Sequence, residues 1–462
     1  MLTETAMGDS RLSLWLRVRE FAVPPSMIET ATARRRAGDW AGACAAARVD
    51  LDFNPRDLAR THGREFAARI RDDLRHLAPD LLRWHMPRIA PDGLLRPGLT
   101  LALARYGVAG RGVRPVHLVA RTPPAWADAG QRISIGLWDG SLDEPAARRH
   151  PHPHPHRRFR LDLHRHLWDA RRAGELGPRS GVGAPPGPAP QELLARGHHC
   201  AVDRWAAEAG MLLRAEGLPA EGAVTVRLAA RHRLDLRLVT DPGGAAPPRL
   251  RITASEGGGA ALPVLPDAAT WVLPDLELLR TGAIGADRLH PLVAAALVPG
   301  HAPAAAPSRT ADTAGRPHLV ECRGARHRIG LVDGVLTPLD HDPAEIRREE
   351  LLVALSGTPL PCLQVIDAAH RRPDCLAGVR ERLDHGDTAG ALAIVEGLLG
   401  PQALLREGPL RDELESAARR RITYGLFRAG LAGAKPGPAP DPDRGRSRSG
   451  GRRSRPRRPT RR

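Results

Sequence analysis

Two copies of one six-residue pattern, Gly38-Asp39-Trp40-Ala41-Gly42-Ala43 and Gly386-Asp387-Thr388-Ala389-Gly390-Ala391, constrain this chain more than any other feature in it. Gly reaches the left-handed conformation that ends a helix, and the Asp after it can accept from the backbone N–H groups that open the next one. Each copy therefore predicts two helices meeting at a tight corner. Ser26-Met27-Ile28-Glu29 has the Ser-x-x-Glu form of a capping box, so the first hairpin is expected to start at Met27, turn at Gly38 and run on toward Val49. The second is expected within Cys375 to Leu399.

The spacing resembles the corner between the two helices of a tetratricopeptide repeat, where a Gly opens the turn and a small Ala five residues later, here Ala43 and Ala391, lets the helices close. The resemblance covers about half a repeat at each site, with no period of roughly 34 residues between them. It implies α-hairpins that pack and dock and carry no chemistry themselves. Aromatic residues are only 3% of the chain, so its cores must rest on Leu, Val and Ala. Lys435 is the only lysine, and with 47 Gly and 44 Pro the usage resembles that of chains from high-GC actinobacterial genomes. Such usage inflates Arg everywhere, which weakens any argument that rests on Arg, Pro or Gly counts alone. The distribution says more: residues 431–462 hold ten Arg and Lys435 against Asp441 and Asp443, about half of the formal charge of +17.

No apolar run approaches the roughly 18 residues that a membrane-spanning helix needs. Residues 1–19 lack the order of charge, apolar run and small residues that marks a signal peptide. A cytoplasmic location and no membrane partner are expected. Cys44, Cys200, Cys322, Cys362 and Cys375 form no Cys-x-x-Cys pair and read as reduced, mostly buried thiols.

The expected architecture is α+β and multidomain, with helical hairpins at both ends, small antiparallel sheets between them and a disordered basic C-terminal tail. Residues 1–110 read as a helical N-terminal domain. Within it, residues 1–14 are expected to be loose, Trp15 to Phe21 a short strand or extended arm ended by Pro24 and Pro25, Leu58 to Leu77 one long amphipathic helix, and Leu99 to Tyr106 helical. Residues 111–170 should carry a β-hairpin, from Val116 to Ala120 and Ile133 to Leu137, and a His-rich loop. A linker is expected over 171–190. Residues 191–300 follow as a helix plus an antiparallel meander, its strands near Val224 to Leu228, Leu234 to Leu238 and Leu250 to Ile252; their period of two buries one face. A second linker, 301–316, leads to 317–431, a β-hairpin plus a helical C-terminal domain. The Arg-rich tail, 432–462, has no large apolar residue to anchor a fold.

Among candidate sites the histidines are the most conspicuous. His150, His152, His154 and His156 alternate with Pro, and His164, His166, His198 and His199 follow. Imidazole is a good ligand for Zn²⁺, Ni²⁺ and Cu²⁺, so His164, His166, His198 and His199 are metal candidates. Against this, a His-Pro run is extended and mobile, and a defined site needs ligands held by further hydrogen bonds. In the tail, Arg452, Arg453, Arg455, Arg457, Arg458, Arg461 and Arg462 are candidates for non-specific contact with nucleic acid through counterion release. The alternative is a solubilising terminus. Asp72-Asp73 reads as a pair of solvated charges, and His62 as a partly buried residue of an amphipathic helix. No Gly-x-Ser-x-Gly, Walker loop, His-Glu-x-x-His or calcium loop is present, and no cofactor is expected.

The paired corners and the missing catalytic signature favour an interaction or scaffold protein that docks a protein partner through its helical ends, with Trp40 as a first contact or, equally, a core residue. A nucleic-acid-associated protein using the tail is the alternative. An enzyme whose site is assembled from distant residues is a third reading.

Overall fold

The computed structural model describes residues 4–107, 115–128, 131–143, 145–182, 199–229, 232–239, 249–255, 262–301, 318–322, 324–332, 335–342, 344–348, 351, 361–363, 373–399 and 408–431. Both corners form as their residues dictate. Helices Pro25–Arg36 and Trp40–Ala46 meet at Gly38, and helices Pro373–Asp384 and Thr388–Leu399 meet at Gly386. The two glycines take φ of +77° and +78°, where a Cβ would strain the backbone. Asp39 accepts from Gly42 N at 2.8 Å and Asp387 from Gly390 N at 3.1 Å. Ser26 does not cap the first helix: Pro25 occupies its first turn, where a missing N–H costs nothing, and Ser26 O instead accepts from Thr30 Oγ1.

The architecture is α+β. The main sheet runs β1 (Val49–Leu51), β6 (Ile133–Trp138), β5 (Val116–Arg121), β4 (Thr100–Tyr106), with β1 parallel to β6 and the rest antiparallel. A small pair, β2 (Arg88–Ile89) and β3 (Leu94–Leu95), lies beside it in sequence. The meander β7 (Ala223–Arg227), β8 (Arg233–Val239), β9 (Arg249–Ala254) is backed by helix Val202–Ala215, and its alternating Val224, Val226, Leu234, Leu236 and Leu238 close a second core around Trp205. A fourth sheet, β10 (His318–Cys322), β11 (Ala325–Val332), β12 (Val335–Pro338), precedes the C-terminal helices, of which Pro409–Ala429 is the last among the described residues.

Several expectations are corrected. Residues 4–17 form a helix that continues as a π-turn, Val18–Ala22, where a loose start and an extended arm were expected. Val18 and Ala22, four positions apart, are both fully buried, so the helical period and not the period of two governs this stretch. Leu99 to Tyr106 is strand β4: five of its first six residues are buried on both faces, and a continuous apolar run does not reveal its own period. The long helix from Leu58 is two, Leu58–His62 and Arg64–His76, because Gly63 takes φ +90° between them. Asp73 is buried, accepting from Tyr106 Oη at 2.5 Å and from Arg165, so only Asp72 of that pair is solvated. The expected 171–190 linker includes helix Leu176–Ser180; residues 183–198 lie outside the described set, as do 302–317 and the tail 432–462.

The segment after the first hairpin meets the C-terminal helices. Arg48, in the left-handed region at φ +58°, follows the first hairpin and donates to His385 O at 2.8 Å in the second corner; its guanidinium lies 3.6 Å from Asp387. Farther along, Tyr424 Oη donates to Asp50 at 2.7 Å, Arg428 pairs with Asp52, and Phe427 packs edge-on to Trp126. Trp40 packs against the main core, which takes in residues from Val18 to Leu297. Among the described residues no helix is long and apolar enough to cross a membrane.

Candidate functional site

A cavity of about 450 Å³ opens between the N-terminal helix, the end of helix Pro79–His85, the loop after His156 and the segment around Trp271. That volume suits a small organic molecule. Trp15 and Trp271 are the partly exposed rings of the lining, backed by the buried Trp84 and Phe159 and by Leu101, Leu161 and Leu273. The polar lining is lopsided in charge. Eight arginines, Arg11, Arg19, Arg88, Arg96, Arg158, Arg160, Arg179 and Arg204, face one carboxylate among the lining residues, Asp267.

The arginines divide by what neutralises them. Arg19 donates twice to Asp275 at 2.8 Å and once to Trp84 O, and its guanidinium stacks 4.1 Å from the Trp84 ring. Arg158 grips Asp267 with two bonds, Arg160 grips Asp162 and Glu216, and Arg179 grips Glu208. Such bidentate pairs are closed and fix the wall. Arg88 and Arg204 are different. Arg88 donates only to carbonyls, Arg83 O at 2.6 Å and Gly93 O at 3.4 Å. Arg204 likewise donates to Arg179 O and, at 3.1 Å, to Trp271 O. Among the described residues neither lies within ion-pair reach of a carboxylate, and in each the Nε is buried without a partner. Burial, with Arg19 adding to it, lowers the Arg88 pKa to about 9, so the cation persists at neutral pH at an electrostatic cost that an anion would relieve.

Two histidines complete the wall. His85 is held neutral, its pKa pushed well down by burial and then by Arg19; His166 is lowered to about 3 by burial, Arg179 and Arg204. His85 Nε2 and His166 Nδ1 are buried without partners. Neutral imidazoles so placed supply hydrogen bonds without adding charge. At the rim, burial raises Glu277 to about 7 against the pull of Arg11, 3.2 Å away, while His199 Nδ1 sits 2.9 Å from its other oxygen.

The structure distributes the sequence candidates unevenly. His164 and His166 are neighbours, with rings 5.7 Å apart; His164 Nδ1 lies 3.1 Å from Arg179 Nη2 and its Nε2 lies 3.7 Å from Glu208 Oε2, the carboxylate that Arg179 grips. His199 is half exposed at the cavity rim, and His198 lies outside the described residues. The His-Pro run is ordered where a mobile loop was expected. His150 Nε2 meets Thr122 O at 2.9 Å, His152 O accepts from Thr100 Oγ1 at 2.6 Å, and the His154 ring rests on Trp138. The segment bends at Pro151 and His154 and lies against the start of β4, His156 N donating to Thr100 O at 2.8 Å. The tail arginines 452, 453, 455, 457, 458, 461 and 462 lie outside the described residues.

Reading the sequence did not find the cavity. Its arginines are scattered from Arg11 to Arg204 in a chain rich in Arg throughout, and what separates Arg19 from Arg88 is an aspartate 256 positions away. No protein-family model, curated protein or solved structure matches the chain.

Proposed function

We propose that this protein binds a small organic anion, a flat ring system carrying a phosphate, sulfonate or carboxylate group, in the cavity between Trp15, Trp84 and Trp271. The observation that carries this reading is the pair Arg88 and Arg204: two guanidinium groups at an aromatic-walled cavity, each hydrogen-bonded to backbone carbonyls and, among the described residues, in no ion pair, Glu208 and Asp203 acting on Arg204 only from beyond contact. A planar guanidinium matches a planar or tetrahedral oxyanion with two parallel bonds, and indole faces match a ring. Arg158, Arg160 and Arg179 already have carboxylates and act as wall, not as receptor.

The test uses the full chain, with the indoles as reporters. Adenosine 5′-monophosphate and 2-naphthalenesulfonate are titrated by tryptophan fluorescence and calorimetry against neutral adenosine. Both anions are expected to bind, adenosine at least about tenfold more weakly, and Arg88→Gln and Arg204→Gln each to cost about tenfold or more. Equal binding of adenosine, or no binding of either anion at millimolar concentration, overturns the reading.

A partner-docking role is the second reading. It is favoured by Ile422 and Leu426, four residues apart on one face of helix Pro409–Ala429 and 63% and 42% exposed. Loss of a co-purifying protein on Ile422→Asp with Leu426→Asp would support it, and unchanged co-purification would end it. Contact with nucleic acid through the tail is tested by comparing the full chain with residues 1–431 in fluorescence anisotropy across a salt series.

A further inference from the structure

We propose that Cys322, His341 and Cys362 form a binding site for a single Zn²⁺ ion that fastens the β10–β12 unit. The three residues are separated by 19 and 21 positions, with no short Cys/His motif among them, yet their ligand atoms all lie within 4.8 Å of one another. Cys322 ends β10, His341 follows β12, and Cys362 sits in a helical turn at 361–363. In a tetrahedral site with Zn–S near 2.3 Å and Zn–N near 2.0 Å the ligand atoms stand roughly 3.5–3.8 Å apart, so closure asks for a movement of about 1 Å.

The surroundings treat His341 as a ligand. Its side chain is only 4% exposed. Nδ1 lies 3.4 Å from Glu345 Oε2, and Nε2 is buried with no hydrogen-bond partner, which leaves Nε2 as the nitrogen to bind. A carboxylate on the far ring nitrogen is how metal-binding imidazoles are held in one tautomer. The His327 ring stacks on His341 at 4.1 Å and 12°, which fixes its plane. Arg328 clamps Asp340, the preceding residue, through its backbone N–H and guanidinium at 2.7 Å each, which fixes the chain.

The thiols argue the same way. Cys322 and Cys362 are both fully buried and unlinked. With the His341 ring beside them they form a soft S/S/N donor set of the kind Zn²⁺ takes. Zn²⁺ would displace a proton from each, forming two Zn–S bonds and releasing two protons to solvent. Two thiolates and a neutral imidazole leave one tetrahedral position for water.

The test separates this site from any metal held by the histidines at 150–156. Full-length protein, purified under reducing conditions and stripped by chelator, is titrated with Co²⁺. The expected spectrum has thiolate-to-cobalt charge transfer and the intense visible bands of tetrahedral Co²⁺, saturating at about one equivalent and displaced by Zn²⁺. Cys322→Ser, His341→Ala and Cys362→Ser should each abolish the thiolate bands, whereas Cys200→Ser should leave them. Should those variants fail to fold, alkylation of the wild-type chain decides: Zn²⁺ should slow modification of Cys322 and Cys362 at least about tenfold and leave Cys200 unchanged. Only the weak bands of imidazole-bound Co²⁺, equal alkylation with and without Zn²⁺, or a Cys322–Cys362 disulfide in freshly purified metal-free protein would overturn the proposal.

Discussion

The two Gly-Asp corners share one turn and differ in everything around it. In both, the aspartate caps the second helix by accepting from the glycine three positions on. The Asp39 side chain is 40% exposed and faces Arg34 at 3.2 Å on the surface. The Asp387 side chain is 5% exposed, held between Arg382 at 2.9 Å and Arg48 at 3.6 Å. The residue before the turn differs too, an exposed Ala37 in the first and a fully buried His385 in the second. One six-residue pattern thus makes a surface cap in the first hairpin and, in the second, a joint to Arg48 at the end of the first. The local hydrogen bond is the same; the energy in it depends on whether water can replace it.

The largest expected difference follows from the two aspartates. Asp39→Ala removes a solvated cap and should cost about 1 kcal/mol. Asp387→Ala removes the same cap and also leaves Arg48 and Arg382 without their carboxylate in a buried place, for which about 3–5 kcal/mol is expected. Urea unfolding of the full chain gives the totals. Hydrogen exchange over residues 373–399 locates the loss. Equal costs for the two variants would show that burial adds nothing to this joint.

Acid should open the second corner and leave the first intact. Burial, reinforced by Arg88 and Arg83, lowers His385 to about 3 from 6.5, so the folded state holds it neutral while the unfolded chain takes up a proton below 6.5. Its contribution is fully present above pH 6.5 and falls by about 1.4 kcal/mol per pH unit between 6.5 and 3. Proteolysis of the C-terminal helices should therefore accelerate as pH drops from 7 to 5. His385→Gln should flatten that dependence. A wild-type chain whose 373–399 exchange, corrected for intrinsic rate, is the same at pH 7 and 5 would contradict it.

What could be read from the sequence was what neighbouring residues decide among themselves. Gly38 with Asp39, and Gly386 with Asp387, specify a turn within six residues, and the alternation of Leu234, Leu236 and Leu238 specifies a half-buried strand. The helix at 4–17 was not legible because its buried face continues into Val18 and Ala22, and the short window around Trp15 alternates as a strand does. β4 was not legible because both its faces are covered. The site was least legible of all. Whether Arg88 is a receptor and Arg19 a wall residue depends on where Asp275 folds, and whether Cys322 and Cys362 are inert or ligating depends on His341 arriving between strand and turn.

The smallest effect offers the sharpest test of the comparison. In a helix Ala is favoured over Gly by about 1 kcal/mol, so Gly42→Ala and Gly390→Ala should both stabilise if only propensity counted. A Cβ at either position, however, would overlap the Oδ2 of the capping aspartate. Asp39 can swing into water and give up its cap, a loss of about 1 kcal/mol that the propensity gain offsets, so Gly42→Ala should change stability by less than about 0.5 kcal/mol. Asp387 has no such exit. The added carbon at Gly390 would also stand 3.0 Å from Arg382 Nη1, and any swing breaks the pairing with Arg48. Gly390→Ala is therefore expected to destabilise by about 2 kcal/mol or more. The same substitution at the same place in the two corners then gives two outcomes. If Gly390→Ala proved as neutral as Gly42→Ala, the buried corner would be as adaptable as the exposed one, and the joint would have to rest on Tyr424, Phe427 and Arg428 instead.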